Sequence, residues 1–236
     1  MTEQTTYETI TYTAPLPGVA QITLNRPKAR NAQDLQMTYD LNAAFDRAAG
    51  DDEVKVIILA GSDPHFCAGH DLSGDSGKTW QDFPQVTTWG SFDPPGAEGR
   101  YARESEIYLG MTERWRNIPK PTIAAVQGKC IAGGLMLAWA CDIIIAAEDA
   151  EFRDPVVEMG VCGVEFFAHP WEVGVRKAKE LLFTADWLRA EEAKQLGMVN
   201  QVVPRDELLP TVLAMAERIA QKPLFALKLT KEAVNQ

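Results

Sequence analysis

Two stretches of this sequence could hold a negatively charged oxygen without any charged side chain. FCAGHDL (66–72) and CIAGGLMLAWACD (130–142) each place an Ala-Gly pair at a tight turn beside small or apolar residues. Glycine adds no side chain and tolerates unusual backbone angles, so a neighbouring N–H can approach a ligand closely. If the second turn opens a helix at Leu135, its free N–H groups also gain the positive end of the helix dipole. Two N–H groups converging on one oxygen form an oxyanion hole, which stabilises an enolate or tetrahedral oxyanion by several kcal/mol. A single Ala-Gly turn is ordinary tight packing; two in this order are a stronger signal. No acidic residue stands between Gly134 and Cys141, so an acid or base has to come from elsewhere.

One carboxylate with an apolar setting is Glu165, in GVCGVEFFAHPW. Phe166 and Phe167 would surround it with apolar surface, which raises a carboxyl pKa toward that of a useful acid or base. The competing reading is a loop residue or a structural ion pair. Glu158 reads as structural, and Asp154, ahead of Pro155, reads as a helix cap. The imidazole of His70 could act as donor or proton relay. His169 reads as a packed or subunit-contact residue and His65, next to Pro64, as turn surface. No two of the three histidines have metal-ligand spacing, so no metal is expected. Cys67, Cys130, Cys141 and Cys162 lack CxxC spacing and read as buried free thiols in a reducing compartment. Trp139 and Trp171 read as core or interface.

Elements that could carry these residues alternate along the chain. YETITYT and VAQITLN predict two strands across a Pro-Gly turn, and Leu35–Ala49 predicts a helix ending at Gly50. VKVIILAG, IAAVQG, CDIIIAAE and the shorter NQVVP read as further strands. Ser73–Gly99 has no stable period and reads as one long loop, either a lid over a ligand or disordered chain. Helical spacing returns from Glu104 to Trp115, and RKAKELLF, AEEAKQLG, DELLPTVLAMAERIAQK and FALKLTKEAVN make the last third helix-rich. The pattern predicts one α/β domain over 1–236, with a core over about 1–200 and C-terminal helices over about 205–236.

Composition narrows the function classes. A formal charge of −10 argues against a nucleic-acid surface, although local Lys/Arg can still hold a small anion. No apolar run reaches membrane-spanning length, and MTEQTTYETI has no signal-peptide pattern, so a cytoplasmic protein is expected. GxSxG and GxGxxG are both absent, against a serine hydrolase and a dinucleotide-binding protein.

TLNRPKARNA, FCAGHDL, AAVQGKCIAGGLMLAWACDIIIAAEDAEF and RAEEAKQLGMVNQVV, in this order, resemble the crotonase (enoyl-CoA hydratase/isomerase) family from about Val19 to the chain end. The resemblance implies a spiral of ββα units with a helical C-terminal section, a homotrimer or a hexamer made of two trimers, and a fatty-acid-type acyl-CoA thioester as substrate. Coenzyme A enters as part of that substrate, with no separate cofactor. The oxyanion amides would be those of His70 and Gly133. Ala29 and Arg30 would lie along the CoA phosphates and pantetheine, Ala68, Asp71 and Leu72 would meet the adenine, and Lys231 would reach a CoA phosphate. Family hydratases use two glutamates on one water; at the matching positions this chain has Met136 and Val156, neither able to transfer a proton. Family isomerases and dehalogenases carry a carboxylate in the loop where Glu165 stands, one position earlier. Family members also continue with further helices past the KEAVN segment. The expectation is an enoyl-CoA hydratase/isomerase-type enzyme (lyase or isomerase), using Glu165 for isomerisation or atypical hydration. The alternative is an acyl-CoA-binding pseudoenzyme.

Overall fold

The structure is a computed structural model that describes residues 7–73, 77–162 and 165–236. β1 (Ile10–Leu16) and β2 (Val19–Leu24) form an antiparallel hairpin. β2 then begins a parallel series with β3 (Val56–Gly61), β4 (Thr122–Val126) and, beyond the short β5 (Lys129–Ile131), β6 (Ile143–Ala147). A second sheet adds β7 (Glu151–Arg153) and β8 (Leu188–Arg189) to β5, and β9 (Gln201–Val203) closes the first sheet beside β6. The main sheet runs β1-β2-β3-β4-β6-β9 and the small one β5-β7-β8. Val56–Ala60 and all of β4 are buried, as expected of central parallel strands covered on both faces.

Each turn of the spiral leaves the main sheet, makes a short second pairing and returns. After β3 the chain bridges Cys67 to Cys130 of β5, and Cys130 pairs in turn with Phe152 of β7. The short crossing strands were not visible as periodic sequence, because three residues carry too little pattern.

On one side of the main sheet sits α1 (Leu35–Gly50), capped by Asp34, whose Oδ1 accepts from Met37 N at 2.8 Å. Leu41, Ala44, Phe45 and Ala48 bury against the larger core with Ile22, Leu24, Ile57 and Leu59. The other side is covered by α8 (Leu208–Ala220), which presents Leu208, Val212 and Ala216, one turn apart, to Val56, Ile58, Ile123 and Ile145. The predicted C-terminal helix is therefore a layer of the domain itself.

The predicted long loop ends earlier than expected, at α2 (Ala97–Ser105), which continues through a wider π turn (Glu106–Gly110) into α3 (Met111–Arg116). Residues 74–76 of that loop lie outside the described residues. The rest is pinned by the fully buried carboxylate of Glu106. Its oxygens accept from Val86 N at 2.6 Å, Thr87 N at 2.9 Å, Tyr39 Oη at 3.3 Å and the Thr87 hydroxyl. Phe83 stacks on Tyr39 with ring centroids 4.3 Å apart. A buried charge with four donors explains why a segment without periodicity holds a defined path.

Further on lie the expected α4 (Gly133–Trp139), which opens two residues before Leu135, and a short α5 (His169–Val173) that periodicity missed. α6 (Val175–Thr184), α7 (Ala190–Gln195) and α9 (Leu224–Asn235) match the helical pattern. One expectation is corrected, since Cys162 is exposed while the other three thiols are buried; Trp171, on a five-residue helix, is 83% exposed, which leaves an interface and not the core for it.

Candidate active site

The two Ala-Gly turns meet where the small sheet touches the Arg26–Gln33 segment. Cys67 N donates to Lys129 O (3.1 Å) and Ile131 N donates to Cys67 O (3.0 Å), which sets the turns side by side. Ala68 N donates to Arg30 O (3.0 Å), Gln33 N to Gly69 O (2.8 Å) and Asp71 N to Gln33 O (2.8 Å). Gly69 takes φ +99°, and a methyl group placed on it would lie 3.7 Å from Gly133 N. Ala132, at φ 44° and ψ −107°, is held in this rare conformation by its own N–H donating to Arg153 O at 2.9 Å. Among the described residues, the amides of His70 and Gly133 donate to no protein acceptor.

Side chains crowd the same point. A methyl group on Gly133 would fall 2.6 Å from His70 Nε2 and 2.9 Å from Gln33 Nε2, so any side chain there would have to displace the His70 ring and the Gln33 amide. The His70 ring lies edge-on to Tyr108, with centroids 4.3 Å apart. Burial lowers the His70 pKa to about 4, so the imidazole is neutral at physiological pH. Tyr108 comes from the π turn, whose altered hydrogen bonding leaves the Tyr108 carbonyl to accept from Phe166 N at 2.8 Å. That bond ties the loop of Glu165 to the wall of His70.

Glu165 is half-buried, and its carboxyl pKa is pushed up to about 7, first by burial and then by the negative charge of Asp154. Burial, with Glu104 and Glu165 nearby, also raises the Tyr108 phenol. Asp154 caps the turn that follows it, accepting from Val156 N at 3.3 Å, and approaches His169 Nε2 at 2.9 Å. Both side chains are buried; the contact has the distance of an ion pair without the alignment of a hydrogen bond. Glu158 pairs with Arg153 at 2.7 Å, the structural role expected of it. Met136 and Val156 are buried and apolar.

The segments expected to meet CoA lie together: Ala29–Arg30 is bonded through its backbone to Ala68, and Asp71 and Leu72 follow directly. Lys28 and Arg30 are exposed, and neither forms an ion pair among the described residues. Arg30 and Asn31 both adopt positive φ, fixed by Asn31 Oδ1 accepting from Arg26 N (3.0 Å) and Ser62 Oγ (3.0 Å). Asp71 is engaged by Arg26 at 3.0 Å, which also pairs with Asp34 at 3.1 Å. Lys231, expected at a CoA phosphate, has a buried ammonium 2.9 Å from Asp142 that donates to Lys120 O at 3.1 Å. His65 is likewise more than turn surface, because its Nδ1 accepts from Lys129 N at 3.2 Å. Gln33 and Tyr108 were not singled out by sequence reasoning. A polar residue at the end of NRPKARNAQ was a signal for the first, whereas the π turn gave none for the second. Among the described residues no group of His, Cys, Asp and Glu could hold a metal ion, and no helix is long and apolar enough to cross a membrane.

A parallel sheet spiralling with a small crossing sheet, and two bare amides at their junction, define an α/β protein of crotonase fold. The family model for enoyl-CoA hydratase/isomerase matches residues 16–94 and 96–236, and the chain belongs to that family. EchA13 of Mycobacterium tuberculosis, named as a candidate enoyl-CoA hydratase, is 48% identical over 224 residues, covering 92% of this chain and 70% of that protein. A probable enoyl-CoA hydratase from Mycobacterium smegmatis superposes with TM-score 0.84 at 50% identity, covering 98% of this chain and 86% of that one. An enoyl-CoA hydratase/isomerase from Xanthobacter autotrophicus also gives TM-score 0.84, at 37% identity, over 98% of this chain and 80% of the other.

Proposed function

We propose that the chain binds an enoyl-CoA thioester with its carbonyl oxygen between the amides of His70 and Gly133, and uses Glu165 to move a proton. The observation that carries this reading is the adjacency of the two turns, with Gly133 N 3.7 Å from the position of a Gly69 methyl and both amides free of protein acceptors. Such donors act on the oxygen where charge develops when the thioester becomes an enolate. A carboxyl held at about 7 both accepts and returns a proton near neutral pH. One carboxyl suffices to take a proton from one carbon of the enolate and return it to another, so double-bond isomerisation is the reaction favoured. Hydration by an atypical route is the second reading, supported by the hydratase names of the relatives. Ala29, Arg30, Ala68, Asp71 and Leu72 would line the CoA, with Lys28 and Arg30 supplying positive charge. The exposed apolar side chains Trp171, Phe183 and Phe225 suit burial between copies in a homotrimer.

The test is Glu165→Gln against a panel of enoyl-CoA thioesters of different length and double-bond position. Turnover by the natural chain and its loss, by about a hundredfold or more, in the variant support the assignment. Undiminished turnover in the variant removes Glu165 from the mechanism. Binding without turnover across the panel would instead favour the acyl-CoA-binding pseudoenzyme.

A further inference from the structure

The wall behind the two amides is more polar than an alkyl chain requires. A cavity of about 220 Å³ opens there, lined by Gln33, Thr38, His70, Trp80 and Tyr108, among others. His70 Nε2 is fully buried and hydrogen-bonds to nothing among the described residues. Among the described residues, the Gln33 side-chain amide, on a residue only 4% exposed, has only the Cys67 thiol as acceptor, at 3.5 Å. Both nitrogens flank Gly133, where a methyl group would lie 2.6 Å from the first and 2.9 Å from the second. A buried nitrogen without a partner costs about 1–3 kcal/mol, and a thiol is a weak acceptor, so this wall is built against its own stability. A substrate atom that bonds to it would recover that cost.

The charge of the missing partner can be read from the surroundings. Asp34 and Asp71 face the cavity and share one cation, Arg26, and Lys78 lies on the same rim, so these charges balance and leave no net field for a charged ligand. His70 is neutral there, able to donate through one nitrogen and accept through the other. The geometry therefore points to an uncharged oxygen, and we propose that this chain selects acyl-CoA esters carrying a hydroxyl or keto group beyond the reacting carbons, held by His70 and Gln33 against Tyr108. This rests on the thioester reading above and names the substrate class for that same site.

Isothermal titration of the full chain with two non-reacting, nearly isosteric esters tests it: δ-hydroxyvaleryl-CoA and hexanoyl-CoA. One or two neutral hydrogen bonds predict about three- to tenfold tighter binding of the hydroxy ester. In Gln33→Leu, the preference falls through loss of hydroxy-ester affinity, with hexanoyl-CoA unchanged or tighter. Equal binding of the two esters by the natural chain overturns the proposal and leaves the thioester reading intact. Parallel weakening of both esters in Gln33→Leu also overturns it. Failure of both esters to bind removes the thioester reading, and this one with it. The comparison within the natural chain needs no variant to fold.

Discussion

Glu165 should cost the fold stability at the pH where it works. Its carboxyl pKa is raised from 4.5 to about 7, chiefly by burial and secondly by Asp154. A raised carboxyl pKa means that the folded state holds the proton more tightly than the unfolded chain. Between these two values the folded chain therefore binds more protons, and stability falls as pH rises. Below about pH 4.5 both states are protonated and nothing is lost; above about pH 7 the whole penalty is present. At full effect that difference corresponds to about 3 kcal/mol, and the partial exposure of Glu165 screens it to about 1–2 kcal/mol. Glu165→Gln, uncharged at every pH, should therefore be more stable than the natural chain by about 1–2 kcal/mol at pH 8 and show little difference at pH 4.5. Urea unfolding at the two pH values, on protein of the same oligomeric state, measures it. The same variant should lose turnover, so one change would raise stability and abolish activity. An equal effect on stability at both pH values would refute the claim that the folded chain holds Glu165 partly protonated. A destabilised variant at pH 8 would do the same.

Other perturbations probe the frame around it. Asp154→Asn removes the second cause of the raised carboxyl, so the pH midpoint of Glu165-dependent turnover should move to lower pH. The variant also loses the contact with His169 and about 1–3 kcal/mol of stability. An unmoved midpoint would show that burial alone sets the value. Gly133→Ala would drive a methyl to 2.6 Å from His70 Nε2; turnover should fall by about a hundredfold or more while the far-UV spectrum stays native. Glu106→Gln puts an amide NH₂ in place of one carboxylate oxygen, facing either the Val86 or the Thr87 N–H donor, and should cost about 2–3 kcal/mol. Limited proteolysis should then cut within residues 77–96 faster than in the natural chain. Lys231→Ala, which leaves Asp142 without its cation, should lower stability by about 1–3 kcal/mol and leave acyl-CoA affinity within about twofold, read by thermal unfolding and titration.

What the sequence made legible was whatever repeats over several residues or needs a particular residue type. VIILAG and TIAAV announce buried strands, and Leu208, Val212 and Ala216 recur at helical spacing. The Ala-Gly turns announce close backbone approach because few other residues allow it. The crossing strands have only two or three residues, too few to show a period, yet they bring Cys67, Cys130 and Phe152 into line. Glu106 looked like one more charge on a helix, since nothing local shows that residues twenty positions upstream will supply its donors. The pairing of Lys231 with Asp142 was not legible either, because the two are distant in sequence.

The place proposed for the acid/base has a structural logic. Met136 lies on α4, 2% exposed, and Val156 is 4% exposed directly after Pro155, so both vacated glutamate positions are sealed by apolar packing. A carboxylate restored at either one would be buried without a donor, at a cost of several kcal/mol. Glu165 instead stands on a loop fastened at Phe166 to Tyr108 and flanked by the buried Asp154–His169 contact. It keeps enough solvent to titrate near neutral pH, and enough burial and neighbouring charge to do so well above an ordinary carboxylate. Restoring Met136→Glu and Val156→Glu together should therefore destabilise the chain without rebuilding a two-carboxylate hydratase. Hydration in that double variant exceeding the natural rate, with the fold intact, would mean that the apolar seal is not what moved the chemistry.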